Sequence, residues 1–103
     1  MTTDELSKLT QRMVDAVGEL TGPGGTVALV AYASEADLLR FQPDWAGTLQ
    51  EHRQVLNAVA LTVTDRTIQL VQMNRRYYES WLNGREDSSA MRSAWAATIV
   101  ARG

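Results

Sequence analysis

Apolar side chains recur at every seventh position from Leu49 through Leu56, Val63 and Leu70 to Tyr77, with Trp45, Val59 and Met73 at the complementary position. That spacing marks one seam of an α-helix and predicts a long helix over 44–82. Unbroken, it would extend roughly 58 Å at 1.5 Å per residue, more than one compact domain of this size can cover. Either it breaks near Thr64 or it forms the spine of an elongated hairpin or dimer. The weak stretch is Thr62-Val63-Thr64-Asp65-Arg66-Thr67-Ile68, whose β-branched residues also suit a hairpin turning at Asp65-Arg66. Asp-Arg is not a favoured two-residue hairpin turn, which tips the reading toward helix.

Upstream, Leu6, Leu9, Met13, Val17 and Leu20 lie at three- and four-residue spacing, and Thr2 with Glu5 fits a capping box, so a helix is expected over 3–20. Thr21-Gly22-Pro23-Gly24-Gly25 stops it. Residues 26–33 (TVALVAYA) suit a short strand, yet Val27, Ala31, Ser34, Leu38 and Phe41 form a helical stripe, and a helix over 26–41 is the expectation. Its rival is a strand ending near Ala33 and a helix capped by Ser34. Asn83-Gly84 ends the long helix, and Asp87, Ser88 or Ser89 caps a last one over 88–101 that presents Met91, Trp95, Ile99 and Val100 on one side. The expected fold is therefore all-α, an elongated helical hairpin or small bundle forming one domain over 1–103. The alternative is α+β, with a strand at 26–33 and a hairpin near 58–73.

At 103 residues, with 45% apolar and 21% charged side chains, the chain has ordinary globular usage and can bury one core. It contains no Cys and one His, so thiolate chemistry is excluded and no imidazole cluster exists for a metal. No catalytic residue, metal site or cofactor is expected. A net charge of -2 gives no cationic field for nucleic acid, and no apolar run is long enough to span a bilayer, so neither nucleic acid nor membrane is expected as a partner. The expected location is the cytoplasm.

His52 falls on the apolar seam with no nucleophile or orienting partner beside it in sequence, and is read as structural. Glu35 with Asp37 and Glu86 with Asp87 occupy cap positions that helix dipoles explain. Arg75-Arg76-Tyr77-Tyr78 joins cations to aromatics, but the two arginines point about 100° apart on a helix and extend no basic stripe. Tyr77 continues the seam of Leu70 and Met73 and is expected in the core. Tyr78 and Trp81 lie off that seam, and with Arg75 and Arg76 they are the candidate partner-binding residues. The functional expectation is a non-enzymatic adaptor that binds another protein, with self-association into a homo-oligomer left open.

Two resemblances bear on that expectation. Leu38-Leu39-Arg40-Phe41-Gln42-Pro43, Glu51-His52-Arg53-Gln54-Val55-Leu56 and Arg66-Thr67-Ile68-Gln69-Leu70-Val71, within residues 38–78, resemble the central helices of the flagellar FlgN-type export chaperones. The resemblance implies a bacterial, cytoplasmic, helical chaperone of flagellum biogenesis whose later helix binds the carboxy-terminal segment of an exported client. Trp45-Ala46-Gly47 resembles the turn of the small secreted WXG helical hairpins, although Tyr77 and Tyr78 are followed four positions on by Trp81 and Leu82 and not by their acidic residue. A small-molecule-binding domain or enzyme of α+β fold is the third alternative.

Overall fold

The computed structural model describes residues 1–102. Helix α1 (Thr3–Leu20) starts at a formed capping box: the Thr2 hydroxyl accepts from the Glu5 amide and the Glu5 carboxylate accepts from the Thr2 amide. The glycine-rich turn then reverses the chain through Gly24 at φ +84, a left-handed conformation that favours glycine. Strand β1 (Thr26–Ala31) follows, then α2 (Glu35–Phe41), whose Asp37 amide donates to the Ser34 hydroxyl. A second capping box, Thr48 with Glu51, opens α3 (Leu49–Thr62). Strand β2 (Thr67–Gln72) leads to α4 (Arg75–Leu82), capped by Asn74 and ended by Asn83 at φ 51, and Ser88 caps α5 (Ser89–Arg102).

The fold is α+β: 60% of the chain is helical and 12% is strand, which corrects the all-α, helical-bundle expectation. The expected helix over 26–41 divides into strand and helix because the Ser34 hydroxyl caps a new start and the preceding Val- and Thr-containing run pairs with β2. The expected helix over 44–82 divides into α3, β2 and α4. Val63 ends α3 with extended backbone, after which β-branched Thr67 and Ile68 enter the ladder. The Arg66 guanidinium fixes this exit by donating to the Thr21 carbonyl at 2.7 Å and pairing with Asp65 at 2.9 Å. No hairpin forms over 58–73. β2 instead lies parallel to β1, with Thr26 opposite Thr67 and Ala31 opposite Gln72.

Two strands separate two helical layers, and side-chain alternation assigns each face. Val27 and Leu29 join Ile68 in packing against Val17 of α1, Val59 of α3 and Val63 just beyond it. On the opposite face Ala28, Val30, Val71 and Met73 pack against Tyr78 and Leu82 of α4 and Trp95 and Ala96 of α5, together with Tyr32, Leu38 and Phe41. Burial on both faces explains why β1 reads as a nearly continuous apolar run, the signature of a parallel strand. No helix among the described residues is long and apolar enough to cross a membrane.

Candidate functional site

Parallel pairing leaves β1 one free edge. The Gly25 and Ala31 carbonyls accept from the Thr67 and Met73 amides, so odd-numbered residues of β1 face β2. By alternation, the N–H and C=O groups of Thr26, Ala28 and Val30 point the other way, where the sheet has no further strand. The helical layers continue past this edge and form the walls of a groove of about 750 Å³ with Thr26, Val27 and Ala28 at its base. One wall is the end of α1, at Ala16, Glu19 and Leu20. The other is the small-residue face of α5, at Ser89, Ala90, Ser93, Ala94 and Ala97. The α5 sequence dictates this division: Arg92, Trp95 and Ala96 are buried, while the small residues at 89, 93 and 97 recur every fourth position on the exposed flank beside them.

Farther along β1 the groove gives way to a cavity of about 100 Å³, which shares Ser89 and Ser93 with it. Its polar lining comes from Tyr32 just after β1, Gln42 at the end of α2, His52 in the first turn of α3 and Arg92 of α5, and Met13, Leu29, Val30 and Leu56 complete it. Tyr32 is 1% exposed and His52 3%, yet the Tyr32 hydroxyl and His52 Nδ1 have no protein hydrogen-bond partner among the described residues. Gln42 lies near enough to the Tyr32 hydroxyl to act on its ionisation, but no formed hydrogen bond joins them. Edge contacts orient the imidazole, whose centroid is 5.5 Å from that of Tyr32 and 5.1 Å from that of Trp45. Burial lowers the His52 pKa and keeps the ring neutral at pH 7; burial also raises that of Tyr32, partly opposed by the Arg92 charge.

Arg92, 9% exposed, anchors the cavity to the rest of the fold. One N–H donates to Asp87 at 2.9 Å, and the guanidinium lies 5.8 Å from the Phe41 ring centroid. The other Asp87 oxygen accepts from the Tyr78 hydroxyl. Desolvation, then the hydrogen bond and charge of Asp87, push the Tyr78 pKa upward. This network ties α4 to the start of α5.

The residues expected to bind a partner are not gathered at this groove. Tyr78 is fully buried, while Tyr77 is 65% exposed, the reverse of the seam's prediction. Because β2 interrupts the helix, α4 takes its register from the Asn74 cap and not from Leu49. Trp81 is half-buried, stacked on Tyr78 and covered by the Arg85 guanidinium at 4.5 Å; with Tyr77 it borders a separate hollow between α4 and α5. Arg75 and Arg40 both pair with Glu79, at 3.0 and 2.9 Å, and Arg76 is exposed without an ion pair among the described residues. Sequence reasoning missed the groove and the pairing of Tyr32 with His52. The spacing of Ser89, Ser93 and Ala97 was the available signal for the first; nothing local announces the second. No group of three metal-ligating side chains occurs among the described residues. In comparisons with known proteins, the sequence matches no family model and no curated protein.

Proposed function

We propose that this protein is a non-enzymatic binding module that takes an extended segment of another protein as a third strand along the free edge of β1. The observation that carries this reading is the position of that edge: Thr26 and Ala28, whose backbone groups point outward, lie at the base of a groove whose α5 wall is built of small side chains. Main-chain hydrogen bonds to Thr26, Ala28 and Val30 would supply affinity, and the space above Ala90, Ala94 and Ala97 would admit the partner's larger side chains. An exported client, the partner implied by the FlgN-type resemblance, remains part of the proposal and would be met here through a strand. The cytoplasmic location also remains part of it, testable by fractionating the native cells.

Selection from displayed random peptides tests the binding mode. Ala28→Pro removes an outward N–H without removing a bond to β2, so it should retain the fold and lose peptide capture. Ala94→Trp, which fills the groove from an exposed helical position, should do the same. Capture undiminished in both folded variants would overturn strand addition.

A further inference from the structure

The groove and the polar cavity lie end to end along one strand, with Ser89 and Ser93 common to both. From Thr26 to Val30 the strand advances ~13 Å at about 3.3 Å per residue, so a segment of four or five residues added there would bring its end to the cavity. The end delivered is fixed by direction: a strand running parallel to β1 places its carboxy terminus beside Tyr32, His52 and Arg92.

Resting on the strand-addition reading, we infer that the ligand is a protein or peptide carboxy terminus, added parallel to β1 with its free α-carboxylate held in the cavity. The cavity is built from donors. Arg92 gives one N–H to Asp87 and has others to offer, the Tyr32 hydroxyl is unpartnered, and the neutral His52 ring can carry its proton on the unpartnered Nδ1. Gln42 adds an amide, and the amino-terminal end of the 14-residue α5 adds a favourable dipole where Ser89 lines the space. Asp87 is the opposing charge, and it is already engaged by Arg92 and Tyr78. Two buried polar atoms have no protein partner among the described residues, and a carboxylate supplies acceptors for both. A free amino terminus, which an antiparallel segment would deliver here, would bring a cation toward Arg92 and is repelled. Upstream, Glu19 stands at the far end of the groove and favours a basic residue there.

The test uses the full chain and random octapeptides displayed in two formats, one with free carboxy termini and one embedded within a longer chain. The best binder is then synthesised as free acid and as carboxy-terminal amide, and titrated against the wild type and Tyr32→Phe. The expected result is enrichment in the free-terminus format, at least roughly tenfold tighter binding of the acid than of the amide, and loss of most of that difference in Tyr32→Phe. Equal affinity of acid and amide, or enrichment only of embedded peptides, would overturn carboxylate capture and leave strand addition standing. Enrichment in neither format would overturn both readings. Sodium acetate is the third arm: saturation at millimolar concentration without peptide enrichment would assign the cavity to small carboxylates and overturn a peptide end as its occupant.

Discussion

Among the described residues, the Tyr32 hydroxyl and His52 Nδ1 are the two buried side-chain polar atoms without a protein partner, and each has a measurable consequence in the free protein. Removing the hydroxyl deletes a buried group that no protein atom pairs with, and little volume, so Tyr32→Phe should stabilise the fold by about 1 kcal/mol in urea unfolding. A loss of that size would show that the hydroxyl is satisfied. A variant that gains stability while losing a ligand is the behaviour expected of a site held open for binding. His52 makes stability depend on pH. Its folded-state pKa lies below the 6.5 of a free imidazole, so the unfolded chain takes up the proton first. Stability is therefore full above pH 6.5 and is lost as pH falls through the folded-state value. As the one histidine in the chain, His52 should account for the onset of this loss, and His52→Gln should flatten it; an unchanged slope would show that carboxylates control it.

Among the elements, those written by local chemistry were legible. The capping box at Thr2 and Glu5, the glycine turn and the Asn83-Gly84 stop gave α1 and the end of α4, and Ser88 gave the start of α5. The seven-residue period was misleading because it runs through three elements. Leu49 and Leu56 belong to α3, Leu70 to β2 and Tyr77 to α4, and the spacing survives although no single helix carries it. What divides the stretch is pairing with β1, a partner distant in sequence, and no window of residues 58–73 contains that information. The same limit hid the polar cavity, whose residues come from the ends of β1 and α2 and the first turns of α3 and α5. The small face of α5 was legible as a period of four, but only β1 beside it makes it a wall. The register of α4 gives a direct check on this account. Tyr78→Ala should cost roughly 3–5 kcal/mol, as for a core aromatic, whereas exposed Tyr77→Ala should change stability by no more than about 0.5 kcal/mol. Reversed values would restore the continuous seam and its long helix.

At the scale of the whole molecule, a two-stranded sheet is narrower than the helical layers it separates. α1 and α5 extend beyond β1, and the interval between them is a groove with a strand edge along it. Natural sheets cover, charge or shorten such edges to prevent uncontrolled pairing, and recessing β1 between two helices admits a single extended chain while limiting sheet-to-sheet contact. β2 also has an outward edge, along Ile68, Leu70 and Gln72, with Leu70 exposed on that strand. The two edges distinguish the account from its nearest competitor, association through β2. Residue-resolved amide hydrogen exchange, measured on the free chain and then with the selected peptide bound, tells which edge takes the added strand. Val27, Leu29 and Ala31 should be protected from the outset by β2, and Thr26, Ala28 and Val30 should exchange quickly until peptide slows them, with Ile68, Leu70 and Gln72 unaffected. Protection gained at Ile68, Leu70 and Gln72, with Thr26, Ala28 and Val30 unchanged, would contradict strand addition at β1.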